Sequence, residues 1–307
     1  MGSDRSATAV FGLLSDETRV DVLRAVAHAQ DELAAVDADP AALGFSEIYD
    51  RVDVDNTSKL SYHLGELTGT FLRKDEDGYS FTHAGERMVR FVVSGNYERP
   101  PDVAPTPTEG RCPFCGEAAL RATLHHQFFL VECTACERPV SNYSVTPAQV
   151  RSLDGEDLVR SVGRKQAADY DRVRRGVCPE CGGPLSTRIR EVGEVPTPDA
   201  DPFLVADRCS ECLRPYNALL TTRVAYHPAS VAFHWDRGVD VTAKGLWTFT
   251  GHLLEGRWTS ERVATDPAEY EVVLRRDGDA LRCRLDADAE VTRTERVRRG
   301  GAAGGRS

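Results

Sequence analysis

Eight of the nine cysteines in this chain fall into four Cys-x-x-Cys pairs: Cys112/Cys115, Cys133/Cys136, Cys178/Cys181 and Cys209/Cys212. Within a pair, the two-residue spacer lets a tight turn aim both thiolates at one ion. A second pair, returning from a hairpin, completes the tetrahedron that zinc prefers. The arithmetic predicts two structural zinc ions, each held by four thiolates. Glycine follows both leading pairs, in CPFCGEAAL and CPECGGPL, where a knuckle turn needs positive φ. Disulfides would need an oxidising compartment, but no apolar signal-peptide core precedes the first domain and no stretch approaches the ~18 apolar residues of a membrane span. The expected location is therefore the cytoplasm, with no membrane partner. A redox-active dithiol would show a single pair at a strand-to-helix junction, which leaves redox or metal sensing as a secondary property of the thiolates.

The two cysteine modules read as an internal repeat. RCPFCGEAAL...FFLVECTACERP and VCPECGGPL...FLVADRCSECLRP share the order knuckle, leucine, variable arm, F-L-V, knuckle, then Arg138-Pro139 or Arg214-Pro215. Each unit then runs into a short β-like segment and a Pro-initiated helix, SVTPAQVRSL from Ser144 and VAYHPASVAF from Val224. Proline at a first-turn position loses no hydrogen bond there.

Ahead of the cysteines, TAVFGLLSDETRVDVLRAVAHA places apolar residues at helical spacing, with Ser15 or Asp16 capping a helix that begins near Glu17. A short helix from Ser46, a turn through Val52 to Asn56 and a second helix from about Thr57 to Leu67 give helix-turn-helix order. Leu60, Leu64 and Leu67 form the buried stripe of that second helix, which sends Ser58, Lys59, Ser61, Tyr62 and His63 outward. The strand FLRKD, the turn EDG with Gly78, and the strand YSFT form a hairpin wing.

LLSDETRVDVLRAV, TSKLSYHLGEL and Y-S-F-T-x-x-G resemble the characteristic stretches of ArsR-type winged helix-turn-helix regulators, in the version common among haloarchaea, over about Val10 to Gly95. The resemblance implies a dimer that binds double-stranded DNA. Thr57, Ser58, Lys59, Ser61, Tyr62 and His63 would enter the major groove, Arg73 and Lys74 would meet phosphate or the minor groove, and the helix after Thr82 would help form the dimer. Lysine can donate to guanine or to phosphate, and tyrosine to phosphate. Ser58 and Ser61 either contact phosphate or cap and solvate the helix, and His63 either contacts DNA or packs. Many family members carry metal-sensing cysteines on the helix before the recognition helix. FSEIYDRV, the matching stretch, has none, so that site is expected to be absent.

Charge cuts against DNA. The chain carries 38 basic and 48 acidic residues, a formal charge of −10, and Met1 to Gly95 holds nine basic against seventeen acidic residues. Only four lysines are present (Lys59, Lys74, Lys165 and Lys244), and an aspartate-rich, lysine-poor chain suggests adaptation to high salt. In molar salt the counterion-release contribution to DNA affinity largely disappears, so base-edge hydrogen bonds and shape fit must carry recognition.

The reading is an α+β multidomain chain. Residues 1–95 are a winged helix, 96–111 a Pro-rich linker, 112–176 the first zinc ribbon with connecting helices, 177–295 the second ribbon with a C-terminal helix and small β-hairpin sheet, and 296–307 a frayed tail. Cys283 shares one strand face with Leu281 and Leu285 and is expected to be buried rather than a ninth ligand. Tyr226, Phe233, Trp235, Trp247, Phe249 and Trp258 are either core or the lining of an effector pocket. Catalysis finds no support, because zinc held by four thiolates has no open position and no Gly-rich phosphate loop, nucleophile elbow or His-Glu metal motif occurs. The expected function is promoter binding regulated through a C-terminal region that takes a protein or small-molecule effector. The rival is an adaptor that docks on polymerase or a basal factor.

Overall fold

The architecture is described from a computed structural model over residues 5–34, 42–191 and 201–298, which form an α+β chain of ten helices and four small sheets. The chain divides into two units, Met1–Arg99 and Pro100–Ser307.

In the first unit, Ser6 caps α1 (Ala7–Gly12), and the Asp16 carboxylate accepts from the Arg19 N–H at 3.2 Å to start α2 (Glu17–Ala34). Glu47 reaches back to the Gly44 N–H at 2.7 Å and closes the first turn of α3 (Phe45–Tyr49). Asn56 caps α4 (Thr57–Leu67) through the Lys59 N–H at 2.9 Å. The antiparallel hairpin β1 (Leu72–Lys74) and β2 (Tyr79–Phe81) turns through Gly78 at φ 134°. A Cβ on Gly78 would lie 2.3 Å from the Leu43 carbonyl oxygen, so only glycine fits. Thr82 then caps α5 (His83–Val93). Val22, Val26, Ile48, Leu60, Leu64, Leu67, Leu72 and Val89 are fully enclosed and form the core of this unit.

The second unit opens with an antiparallel sheet in the order β3 (Thr106–Thr108), β4 (Leu120–His125), β5 (Phe128–Cys133), β6 (Pro139–Ser144). β3 lies within the stretch expected to be linker. It is an edge strand, where Pro107 gives up no ladder bond, and the following residues are tied down by Trp247 Nε1–H donating to Thr108 Oγ1 at 3.0 Å and Lys244 Nζ to Glu109 at 2.7 Å. Helices α6 (Pro147–Ser152) and α7 (Gly155–Arg174) lead to a second sheet, β7 (Leu185–Glu191), β8 (Phe203–Cys209) and β9 (Pro215–Leu219). Next come α8 (Leu220–Ala225), α9 (Pro228–Trp235) and α10 (Thr250–Leu254). The segment from Val224, expected to be β-like, instead closes α8. The expected C-terminal hairpin is the middle of a four-stranded antiparallel meander, β10 (Trp258–Thr265), β11 (Ala268–Arg276), β12 (Asp279–Leu285) and β13 (Val291–Val297). β13 takes in Arg296 and Val297 from the expected tail, and residues 299–307 lie outside the described residues.

The two ribbon modules, expected as separate domains, share α7. Leu158 and Val162 pack into the core under β4 and β5, Ala167 and Tyr170 into the core under β8 and β11, and Val173 against Cys178 and Cys209. One amphipathic helix thus serves three clusters along its length.

Candidate functional site

Every second-position cysteine is followed by a residue in the left-handed region: Gly116 and Gly182 at φ 78°, Glu137 at 58° and Leu213 at 64°. This conformation closes the knuckle. The N–H of Gly116, Glu137 and Gly182 each donates to the carbonyl of the first cysteine of its pair at 2.9 Å. Cys112, Cys133, Cys178 and Cys209 are in turn anchored through their own N–H groups to the carbonyls of Glu117, Arg138, Gly183 and Arg214, at 2.8 to 3.0 Å. Pro139 and Pro215 begin the edge strands β6 and β9, the positions in a sheet where proline fits.

These knuckles bring the eight cysteines together as two sets, Cys112/Cys115/Cys133/Cys136 and Cys178/Cys181/Cys209/Cys212, with the Sγ atoms of each set all within 4.8 Å of one another. The close cross-pairs are Cys112–Cys136 and Cys115–Cys133 at 3.6 Å, Cys178–Cys212 at 3.6 Å and Cys181–Cys209 at 3.5 Å. A disulfide needs about 2.05 Å. A tetrahedral ion bonded to sulfur at about 2.3 Å needs edges of about 3.8 Å, so each set fits a metal ion. Backbone N–H groups turn toward the sulfurs, Phe114 N–H to Cys112 at 3.4 Å, Gly183 N–H to Cys181 at 3.4 Å and Cys212 N–H to Cys209 at 3.5 Å. Burial opposes ionisation of Cys178, but the Cys181 N–H, the Tyr216 hydroxyl and the Glu180 N–H draw it down to about 6. Burial likewise opposes Cys133, which the N–H groups of Cys136 and Ala135 bring to about 7. Each set thus has a thiol drawn toward thiolate, the form that binds metal, while, against the N–H groups of Glu117 and Arg214, burial and the neighbouring sulfurs push Cys115 and Cys212 up to about 12. The ninth cysteine, Cys283, is fully buried between Leu281 and Leu285.

The sequence-level repeat is offset by one pleat. Paired by register, Cys133 sits opposite Leu120 and Cys209 opposite Leu185, which makes Val131 the counterpart of Asp207 and Phe129 that of Val205. Val131 is buried among apolar side chains, whereas Asp207 is buried against Arg223 of α8 at 2.6 Å and accepts from Thr187 Oγ1 at 2.6 Å. Burial pushes Asp207 above the ordinary carboxylate range, more than Arg223 draws it down.

In the first unit, Thr57, Ser58, Lys59, Ser61 and Tyr62 all lie exposed on α4. Lys59 Nζ is 2.9 Å from Asp55, whose hydrogen bond and charge hold the lysine further on its protonated side. Tyr62 is 58% exposed, and Arg19, which no motif of the sequence marks, lies 5.7 Å from its ring centre and donates to its hydroxyl at 3.4 Å. His63 takes the packing alternative rather than projecting outward. At 4% exposure it faces inward, 3.7 Å from Asp16, because with Leu60, Leu64 and Leu67 it completes the i, i+3, i+4, i+7 stripe of a helix. Arg73 and Lys74 are exposed on β1, Arg73 Nε donating to Ser80 at 2.7 Å and Lys74 lying 5.2 Å from the Tyr79 ring centre. The aromatic set resolves mainly as core, with Tyr226, Phe233, Trp247, Phe249 and Trp258 all buried and only Trp235 exposed.

Residues 109–291, which span both four-cysteine sets, α7 and most of the final sheet, match the model of a domain of unknown function, DUF7351. The chain belongs to the DUF7351 family. A second domain of unknown function, DUF7347, matches residues 7–92, from α1 into α5. No curated protein and no solved structure matches the chain. Among the described residues no helix is long and apolar enough to cross a membrane.

Proposed function

We propose that this DUF7351 chain is a cytoplasmic transcription regulator. Its first unit is a winged helix-turn-helix that sets α4 in the DNA major groove, and its second is a signal-receiving region held by two structural zinc ions. The observation that carries the reading is the α3–turn–α4 order with Thr57, Ser58, Lys59, Ser61 and Tyr62 on one exposed polar face, followed by a hairpin that presents Arg73 and Lys74. Lys59 and Tyr62 are the contacts of choice, and His63 supports the helix from inside. Zinc is favoured by the all-sulfur tetrahedral donor sets, which leave no open position for catalysis. Phe11, Phe91, Val93 and Tyr97, 44 to 65% exposed, supply apolar surface for a dimer.

The adaptor reading draws on two observations. The first unit is acidic, and Lys59 is already paired with Asp55, which suits a basic protein surface better than phosphate. Chromatin occupancy of the tagged protein in its native cell separates the two. Discrete promoter peaks lost in Lys59→Ala and Tyr62→Ala establish specific recognition. Signal spread over all active promoters, or peaks indifferent to both substitutions, refutes it.

A further inference from the structure

A groove of about 670 Å³ runs between α7 and α9. Arg164, Ala167, Ala168, Asp171 and Arg175 line one wall at the spacing of a single helical face, and Pro228, Val231, Ala232 and Trp235 line the other in the same way. Its volume lies within the range of small-molecule sites. What it could hold follows from which lining groups are already engaged. The Tyr226 hydroxyl donates to the Lys244 carbonyl at 3.0 Å, and the Thr242 hydroxyl to Asp240 at 2.6 Å. Asp171 accepts from both Arg174 at 2.8 Å and Arg175 at 2.9 Å, and Asp236 accepts from Arg296 at 2.8 Å.

Two groups remain. The Arg164 guanidinium is exposed and has no carboxylate partner among the described residues. The Trp235 indole is 64% exposed, and its ring has no hydrogen-bond, stacking or cation partner among them. A tryptophan side chain left so open forfeits much of the burial that makes the residue useful in a fold. Because Asp171 is shared by two arginines, the free charge of the groove is positive in a chain whose overall charge is −10.

We propose that the α7–α9 groove is a binding site for a small planar aromatic carboxylate. Its ring stacks on Trp235 above the small side chains Ala167, Ala168 and Ala232, and its carboxylate pairs with Arg164. As the effector of the regulator this ligand rests on the function proposed above, but the binding itself does not.

The test is calorimetric titration of the zinc-loaded full chain, without DNA, using 2-naphthoate and its neutral analogue 2-naphthamide as probes. Wild type is expected to bind the acid at one site, about tenfold tighter than the amide, the scale of about 1.4 kcal/mol. Arg164→Gln should abolish that preference by weakening the acid alone. Trp235→Ala should weaken both probes, and Trp235→Phe should restore them while zinc content stays unchanged. Equal affinity for acid and amide in wild type, or variants indistinguishable from it, overturns the assignment. So does a failure to saturate at millimolar probe, which would give Trp235 to a protein contact instead. Since no DNA is present, a negative result speaks against the groove alone, and a negative chromatin experiment leaves it standing.

Discussion

Asp207→Asn should be among the most damaging conservative substitutions in the second unit. Asp207 and Arg223 are 1% and 3% exposed at their side chains, so neither partner has water to fall back on. The pair joins β8, two residues before the metal-site Cys209, to α8. Removing one charge strands the other in a dry interior, a defect of about 3–5 kcal/mol. For a unit of this size each kcal/mol moves the midpoint by about 2–4 °C, so the expected loss is about 6–20 °C. The first ribbon shows the way out, since its register equivalent, Val131, is buried without any charge. Asp207→Val combined with Arg223→Met should therefore recover most of the stability that either single change loses. The assay is calorimetric melting of zinc-loaded wild type, both singles and the double. A loss below about 1 kcal/mol for Asp207→Asn, or singles whose losses simply add in the double, would refute the reasoning.

Elemental analysis should find two zinc ions per chain in freshly reduced protein, one after Cys178→Ser, and unfolding of the affected ribbon on chelation, since a four-thiolate site takes its folding energy from the metal. Leu213→Gly should raise the melting midpoint by the equivalent of about 1 kcal/mol at unchanged zinc content. Leu213 holds φ 64° with 59% exposure where two other knuckles use glycine, and a lower midpoint would contradict this. His252, whose ring lies tilted against that of Trp258 with centres 5.0 Å apart, is brought down to about 4 by burial first and then by Arg257. Its neutral form is required by the fold, so the stability it contributes is complete above pH ~6.5 and is lost as pH falls toward ~4. Urea melts near pH 7 and pH 5 should show wild type losing more than His252→Gln. Equal losses would assign the acid sensitivity elsewhere.

The elements that were legible in the sequence carry two agreeing signals. α4 has both a cap at Asn56 and a leucine stripe, and it runs from Thr57 to Leu67 as read. β11 and β12 combine alternation with an Asp-Gly turn, and each ribbon has its paired knuckles. The elements that were missed lack a local signal. All but the first residue of β13 are exposed, so no apolar alternation marks it, and β10 carries a register shift between Arg262 and Ala264 that breaks its pattern. β3 is a strand only because β4 offers it a partner. α8, LTTRVA, is rich in β-branched residues that favour strands, yet all six of its residues are buried and the surrounding core makes it a helix.

Two alternatives that the sequence leaves open are decided by side-chain direction. With Leu60, Leu64 and Leu67 assigned inward, helical spacing already placed His63 between them, three residues after one leucine and one before the next. Grouping Phe233 with Trp235 in one pocket fails by the same geometry, since residues two apart on a helix point about 200° apart around its axis. The structure has Phe233 fully buried and Trp235 64% exposed on α9. Helical period also decides what Trp235 can reach. From the far side of α9 it is closed off from the aromatic core and open to the face of α7 that presents Ala167, Ala168 and Arg164. An indole placed there adds nothing to the core, which is why its exposure points to a ligand rather than to packing.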